Sequence, residues 1–464
     1  MTQALSLILW FVTHVMWQNA PCLPGGIEFT RQGQVDSFNI RNPGCDQVTG
    51  TVTISGNNIT NLDSLRTIKS VGGHLFITGT SNLKNLHGLS GLQSVQGLLE
   101  LNSIKQITSL NGLHNLVSLN GGLNITNNDS LLDITALNQV STEAFFYINI
   151  KNNPRLAVCN NTFLCQHLAA GAFGFFEKNA PGCNDRFQVM KACYPLDPCP
   201  SGNVLITRQS DISAFLQNFP LCTQLPGNLS ISGSGDTLTH LNGLSQIKTI
   251  GGILSVNNNH FLLGLQGLDS LTSVGSHVYI GYNKRLKNLN GLGSLNYVED
   301  KLVIYHNDSL LTISGLGNID PAAMSILEIY NNPVLSTCAA NFVCTYLAEN
   351  NDAPFSTIFG NALGCLSLLD IQRICNPGAC PPGDLVFKTQ QEVDLFASWF
   401  PDCTEVQGSL SVSNTPIKNL DSLYRITSLG YNLDLSNNDS LQNIEGLSNL
   451  KHIGNEIFIS NNIF

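Results

Sequence analysis

Val71-Gly-Gly-His-Leu-Phe-Ile-Thr78 is one copy of a short sequence motif, which we call the phrase, that recurs about every 24 residues along the chain. Further copies begin at Val48, Val95, Leu119, Leu225, Ile250, Val274 and Val298. Within the phrase, Leu75 and Ile77 alternate with His74, Phe76 and Thr78, which are expected to point outward. This period of two predicts a strand with one buried face. A fixed period in the twenties predicts that each repeat is one coil and that stacked coils share a core.

A leucine-rich segment follows each phrase, as at Leu83 to Leu92 and Leu286 to Leu295. Because so short a coil leaves little room for an α-helix, we expect Gly-Leu-x-x-Leu to form another short strand or extended segment. The fold class predicted is therefore mainly β: a right-handed parallel β-helix, or leucine-rich-repeat-like β-solenoid, rather than a helix-bearing leucine-rich horseshoe. Asn-rich turns such as Asn127-Asn128 suit left-handed corners. One Asp per coil is too few for calcium, so no metal or cofactor is expected.

Cysteine spacing shows a longer repeat. Cys22 and Cys45, Cys199 and Cys222, and Cys380 and Cys403 are each 23 residues apart. These pairs divide the chain into module 1 (21–197), module 2 (198–378) and module 3 (379–464). An amphipathic helical pattern lies between the first two cysteines of each module and is expected to cap the coils. In module 3 it begins with a capping box, Thr389 to Glu392.

The fourteen cysteines are predicted to form seven disulfides, because an even count without metal-type CxxC pairs is typical of exported proteins. Four cysteines close each of the first two modules, and each set allows three connectivities. We choose one connectivity for each set. The predicted pairs are Cys22–Cys45, Cys199–Cys222, Cys380–Cys403, Cys159–Cys183, Cys165–Cys193, Cys338–Cys365 and Cys344–Cys375.

Composition and the chain ends point to the cell exterior. The net charge is −10 with no basic block, which argues against nucleic-acid or anionic-membrane partners. Residues 1–20 contain an apolar run of the length of a secretory signal peptide, and no membrane span is predicted. The protein is therefore expected to be secreted or on the cell surface. The chain stops after the phrase Ile453 to Ile459 without closing cysteines, so we expect a fragment of a longer protein.

The combined motifs resemble the receptor L domain of the insulin and epidermal growth factor receptor ectodomains. A cysteine-bounded helix runs into Val-x-Gly-x-Leu-x-Ile at Cys45 to Ile54 and Cys222 to Ile231, and Asn-Asn-Pro-x-Leu precedes a cysteine at Asn152 to Leu156 and Asn331 to Leu335. The regular repeat sequence and the four-cysteine closure most resemble repetitive L-domain proteins of microbial cell surfaces. The resemblance covers residues 21–464 and implies the fold, an extracytoplasmic location and ligand binding on a sheet face. Signalling is not implied, because the modules abut without a cysteine-rich spacer and no kinase is present.

Binding is favoured over catalysis. Carbohydrate-active β-helix enzymes cluster Asp, Arg, Lys or His on one face, whereas His74, His277 and His306 are scattered singly. We therefore expect no enzyme; a structural adhesion or wall spacer is the other alternative. The partner expected is an extracellular protein or a glycan of unknown identity.

The candidate ligand-binding face is the outward side of the phrase strands in module 2. Its residues are His277, Tyr279, Lys301, Tyr305 and Tyr330. Tyr279 and Tyr305 are expected on adjacent coils about 4.8 Å apart, although tyrosine is also common on exposed sheet for its β-propensity alone. The corresponding face of module 1 is thinner, with Phe76, Glu100, Tyr147 and Lys151.

Asn-x-Ser/Thr sequons are possible glycosylation sites, although most coincide with the Asn-rich turns. They lie at Asn58, Asn124, Asn128, Asn160, Asn228, Asn307 and Asn438.

Overall fold

A computed structural model describes residues 21–141, 147–233, 238–349 and 357–462. The expected signal peptide (1–20) and Phe464 lie outside the described residues. The chain divides into two compact units: unit 1 is Met1–Val204 with Ser213–Leu221, and unit 2 is Leu205–Ile212 with Cys222–Phe464. The fold is β-rich, with 24% strand against 20% helix, and its strands lie mostly in parallel sheets. The expectation of a mainly β protein with parallel strands is confirmed at this level.

Three long sheets are formed by one strand from each successive repeat, paired in parallel with the strand of the next repeat. The first long sheet contains Ile27–Phe29, Val52–Ile54, Leu75–Thr78, Leu98–Asn102, Gly122–Thr126, Ile148–Lys151 and Gly174–Glu177. The second contains Val204–Ile206, Leu229–Ile231, Leu254–Asn257, Val278–Gly281, Asp300–Tyr305, Met324–Tyr330 and Thr357–Phe359. The third contains Leu385–Val386, Leu410–Ser413, Leu433–Ser436 and Ile457–Ser460.

Each phrase supplies strands to two sheets, because it bends at its glycines. Val71 ends a two-residue strand of a short sheet, and the chain then turns through Gly72 and Gly73 into Leu75–Thr78. A β-carbon on Gly73 would lie 2.7 Å from the backbone nitrogen of Thr51, so glycine lets successive repeats approach closely. The short sheets contain Gln47–Val48, Ser70–Val71, Ser94–Val95 and Ser118–Leu119; Gln224–Leu225, Thr249–Ile250, Ser273–Val274 and Tyr297–Val298; and Glu405–Val406, Ser428–Leu429 and His452–Ile453.

The leucine-rich segments are not strands, and this expectation from the sequence was wrong. Several of them contain one 3-10 turn, such as His87–Leu89 or Asn290–Leu292, and others, such as the segment around Gly267, contain turns without a 3-10 helix. Leucines recur there at every third residue, and Leu83, Leu86, Leu89 and Leu92 are all buried. The 3-10 helices are Asp63–Leu65, His87–Leu89, Thr135–Leu137, Asn290–Leu292, Ser314–Leu316, Pro321–Ala323, Asp421–Leu423 and Glu445–Leu447.

The core consists of aliphatic side chains aligned from repeat to repeat. Leu75 and Ile77 are 1% and 0% exposed, whereas the intervening Phe76 is half-buried, so the predicted alternation of inward and outward residues is correct. The register preserves these rows, since Leu75 pairs with Leu99 and Ile77 with Leu101. Full burial of each such side chain contributes roughly 1.5–3 kcal/mol.

Short helices lie at both cysteine-rich ends of the repeats, as expected. Thr389 and Glu392 form the predicted capping box, in which the Glu392 carboxylate accepts a hydrogen bond from the backbone nitrogen of Thr389 at 2.8 Å. The opening helices are Gln32–Asp36, Phe38–Arg41, Gln209–Asn218 and Gln390–Trp399. The closing helices are Thr162–Ala169, Arg186–Cys193, Asn341–Glu349 and Leu368–Cys375.

All fourteen cysteines are disulfide-bonded. Both closing sets have the connectivity chosen from the sequence. Cys199 and Cys222 are each disulfide-bonded. The bonds described individually are Cys22–Cys45, Cys159–Cys183, Cys165–Cys193, Cys338–Cys365, Cys344–Cys375 and Cys380–Cys403. Disulfides persist in oxidising compartments, so they indicate an extracytoplasmic environment.

A ladder of buried asparagines runs along the ends of the long-sheet strands. The Oδ1 atom of Asn283 accepts hydrogen bonds from the backbone nitrogen and the Nδ2 atom of Asn259, at 3.1 and 3.0 Å. Asn283 in turn donates both kinds of bond to Asn307. The members are Asn128, Asn153 and Asn179 in the first long sheet, Asn259, Asn283, Asn307, Asn332 and Asn361 in the second, and Asn438 and Asn462 in the third.

The asparagine ladder removes three of the possible glycosylation sites. Asn128, Asn307 and Asn438 are 0% exposed, and their Nδ2 atoms donate hydrogen bonds to backbone carbonyls. A glycan on any of them would break a buried hydrogen bond and has no space in the folded protein. Asn58 and Asn160 are exposed, whereas Asn124 and Asn228 are half-buried and accept hydrogen bonds.

Candidate functional site

The five residues nominated from the sequence all lie on or beside the second long sheet. Tyr279 belongs to strand Val278–Gly281, and His277 precedes that strand immediately. Lys301 and Tyr305 belong to the next strand, and Tyr330 ends the one after it. All five side chains are half-buried, because neighbours on adjacent strands pack against them.

Strand register brings Tyr305 and Tyr330 together but separates Tyr279 from Tyr305. Tyr305 pairs directly with Tyr330 on one side and with Gly281 on the other. Tyr279 pairs with Val303, two residues before Tyr305. The expectation that Tyr279 and Tyr305 stand side by side is thus wrong, since they lie on adjacent strands but are offset by two residues.

Five rings form a continuous group at the carboxyl ends of four strands, which we call the aromatic row: Tyr282, Tyr305, His306, Tyr330 and Phe359. The Tyr330 and Phe359 rings are stacked, with centroids 5.4 Å apart and planes 5° apart. The Tyr282 and His306 rings are also stacked, at 4.7 Å and 6°. Tyr305 joins the two pairs, with its centroid 5.3 Å from that of Tyr282 and 5.6 Å from that of Tyr330.

Gly281 provides the space for the central ring. A β-carbon at this position would collide with ring atoms of Tyr305. The Tyr305 ring therefore occupies the space that a side chain at position 281 would need. Thus the aromatic row depends on a glycine in the neighbouring strand as well as on its own five residues.

Tyr282 and His306 adopt a backbone conformation that aromatic residues rarely use. Their φ angles are 55° and 52°, in the left-handed region. The residues at the same corner of neighbouring strands, Asn258 and Asn331, are asparagines at φ 61° and 55°. Left-handed backbone costs a non-glycine residue roughly 1–2 kcal/mol, and asparagine tolerates it best. The two aromatic residues at this corner therefore carry backbone strain, and strained residues are frequent at functional sites.

Ionisable side chains beside the aromatic row lie close to one another in pairs. Lys301 Nζ lies 3.0 Å from the Glu328 carboxylate. His277 Nδ1 lies 3.3 Å from the Asp300 carboxylate, although its orientation does not make a hydrogen bond there. Asp300 has φ 72° and marks a register shift in its strand, and the Ser325 hydroxyl donates a hydrogen bond to its carboxylate.

Burial raises the pKa of both central tyrosines. For Tyr305, burial is the largest cause, followed by the neighbouring Tyr330 and Tyr282. Burial and Glu328 raise the pKa of Tyr330, while Lys301 opposes the shift. Among the described residues, the hydroxyls of Tyr279, Tyr282, Tyr305 and Tyr330 have no hydrogen-bond partner, so the aromatic row presents phenol hydroxyls to solvent.

Sequence reasoning missed Tyr282, His306 and Phe359. A signal for the first two existed, because they replace asparagine at a corner where Asn127, Asn152 and similar residues recur. Among the described residues, the first long sheet has no equivalent aromatic row. Its residues at the same places are Ser103, Thr126, Asn127, Lys151 and Glu177. Phe76, Glu100 and Tyr147 lie elsewhere on that face, where Tyr147 packs against Phe175.

Within the described ranges, no three His, Cys, Asp or Glu side chains are placed to hold a metal ion. No helix in the same ranges is long and apolar enough to cross a membrane. In comparisons with known proteins, no family model matches the chain and no curated protein matches it.

Proposed function

We propose that this protein is an extracellular binding protein, made of L-domain-like modules, that recognises a partner through the outward face of the second long sheet. In this proposal each module is a right-handed parallel β-solenoid with disulfide-bonded helical caps. Repeats of about 24 residues, strands paired only with neighbouring repeats, and 3-10 turns between sheets support that architecture. No catalytic role is proposed.

The aromatic row is the observation that carries the functional proposal. Tyrosine offers contact area with little side-chain freedom to lose, and such residues dominate binding energy at interfaces. If the aromatic row served only for packing, Tyr282 and His306 would not be needed at these strained corners, because asparagine is less strained there. The solenoid frame is rigid, so little ordering entropy is lost on binding.

Arrays of surface proteins and glycans, probed with purified wild type and two double variants, test the proposal. Tyr305→Ser/Tyr330→Ser removes the centre of the aromatic row and should weaken binding by about 2 kcal/mol or more if both are anchors. Phe76→Ser/Tyr147→Ser removes two aromatic residues from the outward face of the first long sheet and should leave binding unchanged. Thermal unfolding checks that both variants are folded.

A ligand that binds both double variants equally would contradict the proposed face. The absence of any ligand on either array would instead favour the alternative of a structural adhesion or wall spacer. Tyr305 and Tyr330 are replaced together because the strand register places them side by side.

A further inference from the structure

Three cations lie in the five residues after Tyr282: Lys284, Arg285 and Lys287. All three side chains are exposed, and none forms an ion pair with any carboxylate among the described residues. This is a local excess, because the whole chain has 22 Lys and Arg residues and a net charge of −10. At the equivalent corner of the first long sheet, Lys105 pairs with Asp129 at 2.9 Å, whereas Lys284 forms no ion pair with Asp308, the residue at the place of Asp129. The cations beside Tyr282 are thus available to a ligand.

The Tyr282 ring at the same corner has room for a flat partner. One face is stacked on His306, and the side chain is still 45% exposed. On the other side, strand Leu254–Asn257 is followed by the small Asn258, and Tyr282 makes no ring contact in that direction within the described part of the chain.

Two requirements on the ligand follow from these neighbours. It needs a C–H surface that can lie on the electron-rich face of a tyrosine ring. It also needs anionic groups within reach of Lys284 and Arg285, because a guanidinium binds carboxylate or sulfate oxygens by charge-assisted hydrogen bonds. An acidic sugar supplies both in one ring, whereas an aspartate or glutamate side chain supplies only the charge. Free tyrosine hydroxyls can pair with sugar hydroxyls.

We infer that Tyr282, Lys284 and Arg285 bind an acidic glycan, a chain of sugars that carry carboxylate or sulfate groups. This inference rests on the proposed function and names its ligand class. Nonspecific capture of a polyanion by a chain of net charge −10 is disfavoured, so binding needs this local site.

Polygalacturonate and heparin are the probes, the first for sugar carboxylates and the second for sugar sulfates. Uncharged dextran and polyglutamate serve as comparisons, and binding of the full chain is measured by calorimetry at low and high salt. At least one acidic glycan should bind better than both comparison polymers, and binding should weaken with added salt because screening shortens the reach of the charges.

Lys284→Gln/Arg285→Gln should weaken glycan binding roughly tenfold, as expected for the loss of two exposed charge contacts. Lys248→Gln/Lys418→Gln removes two other exposed cations and gives the same net charge, so it should bind like wild type. Tyr282→Asn should also weaken binding while the fold is retained, because asparagine occupies this corner in neighbouring strands.

Equal binding of polyglutamate, equal losses in the two charge variants, or no binding of either acidic glycan would overturn the inference. If a protein ligand instead binds through Tyr305 and Tyr330, the ligand class is wrong and the proposed binding face stands. If Tyr305→Ser/Tyr330→Ser leaves all binding intact, the proposed face itself fails.

Discussion

Asn307→Ala removes one rung from the middle of the asparagine ladder of the second long sheet. The Asn307 side chain is 0% exposed and accepts hydrogen bonds from the backbone nitrogen and Nδ2 of Asn283, at 3.2 and 3.1 Å. It donates to the carbonyl oxygens of Ile280 and Tyr305, at 3.0 and 3.1 Å, and to Asn332 Oδ1 at 3.1 Å. Alanine can make none of these five bonds.

The expected loss of stability follows from which partners keep another bond. Asn283 Nδ2 still donates to Val256, but the buried backbone N–H of Asn283 is left without an acceptor. An orphaned buried donor costs about 1–3 kcal/mol, and each other lost hydrogen bond about 1 kcal/mol before relaxation. Because the weaker bonds overlap, we expect a total of about 3–5 kcal/mol, which is a large part of the stability of an ordinary domain.

Urea unfolding of the full chain, followed by far-ultraviolet circular dichroism, measures this loss. Asn318→Ala is the matched control, because Asn318 is exposed and its side chain donates one hydrogen bond, to the Gly293 carbonyl. The control should change stability by less than about 0.5 kcal/mol. A change below about 1 kcal/mol for Asn307→Ala would show that the rungs are replaced by water or by repacking, and the reasoning from buried hydrogen bonds would be refuted.

Three further outcomes are expected. Gly281→Ala should displace the Tyr305 ring and destabilise unit 2 by roughly 1–3 kcal/mol; unchanged thermal unfolding would mean that the ring moves freely. Because the folded pKa values of Tyr305 and Tyr330 are raised, the stability they contribute is present below their ordinary value of 10.0 and is lost as pH rises through the folded values. Tyr305→Phe/Tyr330→Phe should therefore lose less stability in alkaline denaturation than wild type, and equal losses would count against raised pKa values for the two tyrosines. Burial lowers the pKa of His167, against a backbone hydrogen bond that raises it, so its contribution is present above 6.5 and is lost as pH falls towards the folded value; His167→Gln should flatten the acid side of the stability curve, and an unchanged slope would place the proton uptake elsewhere.

Local patterns were enough to predict the parallel strands and the short helices. Alternating residues such as Leu75 and Ile77 fixed the buried face, and the spacing of the cysteines located the caps. The leucine-rich segments were misread because the shortness of the repeat, which argues against an α-helix, does not argue against a single 3-10 turn. Only the packing of neighbouring repeats decides between an extended segment and a turn, and in the structure it favours the turn.

The candidate face was harder to predict, because it depends on how side chains meet across strands. Tyr279 and Tyr305 are both outward, but their offset by two residues becomes evident only from the strand register. Gly281 looks like a weak strand residue in the sequence, yet it makes room for a ring from the next repeat. Likewise, the sequons at Asn128 and Asn307 read as surface signals, although both residues belong to the buried ladder.

The asparagine ladder restricts sequence variation inside the protein but not at the outward positions of each repeat. Each interior rung receives from one neighbour the same kind of hydrogen bonds that it gives to the next, and the ladder ends where Asn179 and Asn361 donate to the carbonyls of Cys183 and Cys365. A whole repeat can therefore be duplicated or exchanged without creating an unfamiliar junction inside the protein. Its outward residues are exchanged with it, so recombination of single repeats is a route by which such a chain can acquire a new outward surface on an unchanged core.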